Sequence, residues 1–282
     1  MEPPSLRPLA CRLYRRLLRV WATELTEAEL AQPAVVFCPH PDDEVLGCGG
    51  TLARKVAAGA DVRVVFLTDG SRSHPRHLDP RSARRLRRRE ALASCAVLGI
   101  PACRVRFLDL PDGQLAARQA ELTAAAADIL RCHRPSQVFV PSRFDGVCDH
   151  VAAGAAVLAA AGAAGETTIL EYPVWFWRHW PWVSERGGPL RRRLGRTRDA
   201  VIGAVRLFGR FRCAVDVRPL LDLKAAALAC HASQMVRPTD RPDWPILADV
   251  AGGDFLACFT GPREHFQRYA VRTAGRRRRE HR

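Results

Sequence analysis

From residue 34 onward the chain sets short apolar runs between longer stretches of mixed polarity. Apolar, β-branched runs occupy 34–39, 62–68, 104–108 and 137–141, and helical spacing of apolar positions occupies 47–58, 82–98, 116–132 and 150–163. Strand and helix in strict alternation specify a parallel α/β sheet covered on both faces. The expected architecture is a Rossmann-like, doubly wound, mostly parallel sheet of order 3-2-1-4-5, followed by a C-terminal elaboration. In that order the first and fourth strands are neighbours at the switch point, and ligands bind beyond their carboxyl ends.

Both of those strands end in acidic, histidine-bearing loops. The first runs into PHPDDEVLGCGG, which packs His40, Asp42, Asp43 and Glu44 beside a glycine cluster; the fourth runs into PSRFDGVCDH, which holds Asp145, Asp149 and His150. Carboxylates crowded this closely repel and desolvate one another, and a bound cation relieves that cost. Mixed imidazole and carboxylate donors suit zinc or a similar first-row ion better than magnesium. The chosen ligands are His40, Asp43 and His150, a set of three that leaves a fourth position for water. Asp42 is then free to serve as general base. The competing explanation is a capped turn, with Pro41 setting the bend and an Asp capping a helix that begins near Val45.

With these residues in place the chain resembles the LmbE-like, or PIG-L, family of zinc-dependent N-acetylglucosaminyl deacetylases. Its first motif corresponds to PHPDDEVLGCGG at 39–50 and its second, usually HPDH, to Val147, Cys148, Asp149 and His150. Weaker landmarks keep the family order: TDGSRSHP at 68–75, LPDG at 110–113, LEYPVWFW at 170–177 and KAAALACHASQ at 224–234. The resemblance implies hydrolysis of an acetamido group on a sugar, with the same three zinc ligands and Asp42 as base. It also implies that Arg87 and Asp112 hold the sugar. One departure matters: Val147 stands where the family carries a histidine credited with assisting the tetrahedral intermediate. His231 is the leading substitute and Arg143 the second, while a shift of loop register would bring in Asp145. The alternative to an active enzyme is a member that binds metal and glycan without turnover.

Composition narrows the partners. The net charge is +15, carried almost wholly by arginine, with Lys55 and Lys224 as the two lysines. Arginine clusters at 81–89, 191–198 and 276–282 come with no nucleic-acid-binding motif, so no nucleic-acid partner is expected. The expected partner is an N-acetylated sugar conjugate, with a diphosphate- or lipid-linked form as its anionic version. A dinucleotide is excluded because its pyrophosphate would face Asp42, Asp43 and Glu44 where bare backbone amides are needed. Ten cysteines without a C-x-x-C pair predict reduced, mostly buried thiols, and Cys38 and Cys148 beside the metal loops are not expected to ligate. No apolar run reaches membrane-span length and no signal peptide is expected, which predicts a cytoplasmic protein.

The expected layout is a basic amphipathic helix within 1–30, the deacetylase-like domain over 31–272, and a basic disordered tail over 273–282. In the first segment Ala10, Leu13, Tyr14, Leu17, Leu18 and Trp21 recur at helical spacing among arginines. Such a helix either packs on its own domain or lies on an anionic membrane surface. Trp175, Trp177, Trp180 and Trp182 form an aromatic run that walls the crevice or packs in the core. Arg191 to Arg198 is expected to be a mobile, solvated insertion.

Overall fold

The computed structural model describes residues 7–179, 181–183 and 190–271. Trp180 and the tail over 273–282 lie outside the described residues, as do the side chains of Arg191 to Arg193 and Arg196. Among the described residues eight strands form one sheet: β1 (Thr23–Glu24), β2 (Ala34–Cys38), β3 (Val62–Thr68), β4 (Val105–Leu110), β5 (Gln137–Pro141), β6 (Thr167–Tyr172), β7 (Cys213–Asp216) and β8 (Arg263–Val271). The order across it is β1-β7-β8-β6-β5-β2-β3-β4. From β4 to β6 all neighbours are parallel, so this half carries the doubly wound order expected from the sequence. The C-terminal elaboration extends the same sheet: β8 pairs antiparallel with both β6 and β7, and β1 pairs parallel with β7.

Burial follows the two-residue period of a strand covered on both faces. Val36, Cys38, Val64, Phe66 and Phe139 enter one core cluster, and Val35, Phe37, Val65, Leu67, Val138 and Val140 enter the other. On the first face lie α3 (Asp43–Ala57), α4 (Pro80–Val97) and α8 (Leu221–Ala229); on the second lie α5 (Gln119–His133) and α6 (Cys148–Ala164). The α4 helix starts where local chemistry dictates: Asp79 Oδ1 accepts from the amides of Arg81 and Ser82, and Pro80 occupies the first turn.

Two expectations change. The arginine-rich stretch from residue 191 is part of a continuous helix, α7 (Leu190–Arg210), whose Leu207 is buried and whose Phe208 packs edge-on against Tyr14 at 4.9 Å. The thiols are unpaired, but only Cys38, Cys48, Cys95 and Cys213 are buried; Cys103, Cys132 and Cys148 are exposed.

The N-terminal helix α1 (Arg7–Trp21) docks one face on the body. Leu18 is buried, Arg7 donates to the carbonyls of Pro181 (3.0 Å) and Trp182 (2.8 Å), and Tyr14 meets Trp182 edge-on. Its other face exposes Leu9, Leu13, Val20 and Trp21. Among the described residues no helix is long and apolar enough to cross a membrane.

Candidate active site

The loops that leave β2 and β5 meet as neighbouring strands require. Donor atoms of His40, Asp43 and His150 lie within 4.8 Å of one another, and the two imidazole centroids are 5.5 Å apart. Asp43 Oδ2 stands 3.5 Å from both His40 Nδ1 and His150 Nε2. The outer nitrogens of the rings are claimed by carboxylates. His40 Nε2 is 3.3 Å from Asp112 and 3.4 Å from Asp149, while His150 Nδ1 is 2.8 Å from Asp145.

A carboxylate only accepts, so the Asp145 contact places a proton on His150 Nδ1 and makes Nε2 the nitrogen free to ligate an ion. Burial opposes charge on this ring, but Asp43 and Asp145 override it and raise the His150 pKa when no ion is present. That Nε2 is buried and has no hydrogen-bond partner. A fully buried ring nitrogen that faces a carboxylate without a hydrogen bond is costly, and a cation between the two removes that cost. The electrostatics agree. Burial opposes charge on His40, yet Asp112, Asp149 and Asp43 lift its pKa well above the usual range. Burial likewise opposes ionisation of Asp43, and His150 and His40 override it and hold the carboxyl below its usual value. These residues fit a divalent first-row ion with two nitrogen donors and one oxygen donor.

Asp42 is the first departure from ordinary backbone geometry, at φ 122°. It occupies the N-cap of α3 but makes no side-chain cap hydrogen bond, which removes the capped-turn explanation. Its carboxylate instead accepts from Arg87 Nη2 at 2.9 Å, and the same guanidinium donates to the Pro41 carbonyl. The Asp42 amide donates to Glu44 Oε2 at 2.9 Å, which holds the strained turn from behind. Burial pushes the Asp42 carboxyl up to about 6 against the pull of Arg87, and Asp43 adds to the rise.

Arg87 is therefore committed to Asp42, Pro41 and Glu90 and is only 3% exposed, so as placed it does not face a sugar. Asp112 lies against His40 and accepts from the Arg72 amide. His231 is fully buried, with Nε2 2.7 Å from Glu44 Oε1, and it reaches Asp42 only through that carboxylate. Ser94 donates to the same Glu44 oxygen. Arg143 is drawn away to Glu171 and Tyr269. Cys38 is buried and Cys148 exposed, and neither joins the cluster.

Two acidic residues of the second loop, Asp145 and Asp149, have a supporting role that the sequence did not assign them. Asp145 accepts from His150 and from the amides of Val174 (3.1 Å) and Phe176 (3.0 Å), which ties the metal loop to the aromatic segment. Asp149 accepts from the amides of Gly113 and Leu115 and so fixes the loop that carries Asp112. The signal for Arg87 was present: Ala83, Arg87, Ala91 and Cys95 share one helical stripe and all are buried, which sets that arginine apart from its exposed neighbours.

Residues 35–161 match the family described as PIG-L, GlcNAc-PI de-N-acetylase. A 1D-myo-inositol 2-acetamido-2-deoxy-alpha-D-glucopyranoside deacetylase of Rhodococcus opacus is 30% identical over 248 residues, covering 75% of this chain and 85% of its own. A diacetylchitobiose deacetylase of Thermococcus kodakarensis is 32% identical over 136 residues, 46% of this chain and 50% of its own. Among solved structures, the N,N'-diacetylchitobiose deacetylase of Pyrococcus horikoshii superposes with a TM-score of 0.61 over 95% of this chain and 94% of its own, at 19% identity, which shows a common fold. By sequence, fold and the two histidine-bearing loops together, this chain belongs to the PIG-L (LmbE-like) family of deacetylases.

Proposed function

We propose that the protein is a zinc-dependent hydrolase that removes the acetyl group from an N-acetylglucosamine-type sugar conjugate, giving a free amine and acetate. The observation that carries this reading is the convergence of His40, Asp43 and a buried, unpartnered His150 nitrogen beside an arginine-held Asp42 at positive φ. Zinc held by His40, Asp43 and His150 would polarise the acetamide carbonyl and make water nucleophilic near neutral pH. Asp42 takes the proton from the attacking water and returns it to the leaving nitrogen, so acid and base are one carboxyl. A pKa displaced toward neutrality suits that double duty. Arg87 holds Asp42 in place, and Glu44, itself bonded to His231 and Ser94, holds its backbone. His231 is thus assigned as a positioning residue.

Asp112 keeps partial exposure, and of the Arg87/Asp112 pair it is the one to which this reading assigns a sugar hydroxyl. Of the relatives, one is named for an inositol-linked and one for a chitobiose-type acetamido sugar, which supports an acetamido-sugar glycoside as substrate class here. We place the reaction in the cytoplasm, as the cysteine spacing suggests. The test is acetate release from a panel of N-acetylglucosamine conjugates by zinc-loaded protein, with Asp42→Asn alongside. Wild-type turnover with loss of about 100-fold or more in the variant is expected, because a positioned acid–base group contributes on that order. Equal inertness of both proteins, each holding zinc, refutes the reading.

A further inference from the structure

A second concavity, of about 300 Å³, lies between α1 and the segments that begin at the carboxyl ends of β6 and β7. Trp177, Trp182 and Leu18 form its apolar wall, and Arg15, Arg16 and Arg19 project along its α1 side. Two more arginines reach it already neutralised: Arg218 by Asp216 and Arg263 by Glu24. The α1 arginines are different. Arg15 lies over the Trp182 ring at 5.8 Å, and Arg16 and Arg19 have no carboxylate partner among the described residues. Among the described residues no Asp or Glu lines the cavity. Its wall also contains His265, whose Nδ1 is buried without a hydrogen-bond partner.

Guanidinium groups on an open surface repel one another weakly and are screened, but three that converge on one concavity with low-dielectric aromatic walls focus positive potential there. A monocarboxylate would offset one of them. A phosphate-type dianion offers two charges and several acceptor oxygens in the geometry that guanidinium forks match. The volume admits such a group together with a small apolar or ring portion against the tryptophans.

We propose that this cavity is a binding site for a phosphate-bearing ligand, held by Arg15, Arg16 and Arg19 against the Trp177–Trp182 wall, and separate from the metal cluster. Free phosphorylated metabolites and phospholipid headgroups share that chemistry, and α1 presents Leu9, Leu13, Val20 and Trp21 beside it. The site does not depend on the hydrolase reading. It shares a support with the metal loop, because Asp145 bonds both His150 and the backbone that leads into Trp177.

The test is calorimetric titration of the full-length protein with inorganic pyrophosphate, and flotation with phosphatidylcholine vesicles with and without phosphatidic acid. Saturable pyrophosphate binding is expected, weakening with added salt and by about tenfold or more for each of Arg16→Ala and Arg19→Ala, since each removes a charge-assisted bond. Both side chains are exposed, so the variants are expected to melt as the wild type does. Asp42→Asn, which removes the proposed base, leaves this binding unchanged, so the two readings fail separately. Binding only to phosphatidic-acid vesicles, lost in the same arginine variants, supports the site with a lipid headgroup as its source. Absence of both, or binding that the arginine variants leave intact, overturns the proposal.

Discussion

Replacing Asp145 by Asn tests the logic of the proposed metal cluster without touching a proposed ligand. The carboxylate is fully buried and accepts from His150 Nδ1 at 2.8 Å and from the amides of Val174 and Phe176 at 3.1 and 3.0 Å. Asn keeps the volume and one acceptor oxygen but loses the charge that fixes the proton on Nδ1, so Nε2 no longer presents its lone pair in every molecule. Outer carboxylates of this kind contribute about 10- to 100-fold in metal affinity, which is ~1.4–2.7 kcal/mol. Asp145→Ala goes further and orphans two buried amides at about 1–3 kcal/mol each, a loss of fold stability as well as of metal. Zinc affinity is read by competition with a chelating dye, and stability by urea melts of the metal-free proteins. The expected signature is a variant pair: Asn weakens zinc with a modest effect on the metal-free fold, and Ala weakens both. A folded Asp145→Asn protein with unchanged zinc affinity refutes the argument that Asp145 sets the tautomer.

Arg87→Gln removes the cation beside Asp42, whose pKa then rises further, so the acidic limb of the kcat/KM profile moves to higher pH; an unmoved limb shows that Asp42 is not the titrating base. The same variant leaves buried carboxylates unpaired and is expected to cost about 3–5 kcal/mol in denaturant melts. His265 is held down to about 4 by burial and Arg263, against 6.5 for the free group, so the folded state binds fewer protons than the unfolded state between those values. Its contribution is complete above pH 6.5 and is lost as pH falls through 4, a decline of about 3 kcal/mol, read as a difference between wild type and His265→Gln across that window. A Cβ at Gly47 would stand 2.2 Å from the ring of the buried Tyr172, so Gly47→Ala is expected to lower stability by about 1–3 kcal/mol; an unchanged Tm would mean that the ring shifts freely.

How much of this was legible in the sequence depended on the range over which each signal acts. The two loops could be paired from the sequence because strand period and α/β alternation are local, and the switch-point rule converts local order into proximity; His40, Asp43 and His150 meet for that reason. The far edge of the sheet was not legible. β1 has two residues and β7 four, too short to show a period, and β8 joins antiparallel from the end of the chain, so no local pattern announces its partners. Charged side chains were harder still. A lone arginine in a basic helix looks solvated until its own face is read, and Arg87 shares that face with Ala83, Ala91 and Cys95. His231 was sought near the reacting atoms because no sequence pattern shows that Glu44 stands between it and Asp42.

The burial of so many ionisable groups behind the metal loop has a common cause. Asp42, Glu44, Arg87, Glu90 and His231 are all under 10% exposed, and each finds a partner within the set or in Ser94 and Ser233. Taken singly, any of them would cost several kcal/mol to bury. Taken together they form a mutually bonded frame whose one positive-φ member is Asp42, the proposed base beside the proposed ligands. Surrounding bonds that over-determine a residue allow a positive-φ aspartate to persist, and α4 supplies them to the frame through Arg87 and Glu90. Loosening it at Glu90 or Ser233, neither of which approaches the metal loop directly, should therefore lower kcat while leaving zinc affinity intact, the inverse of the Asp145 variants.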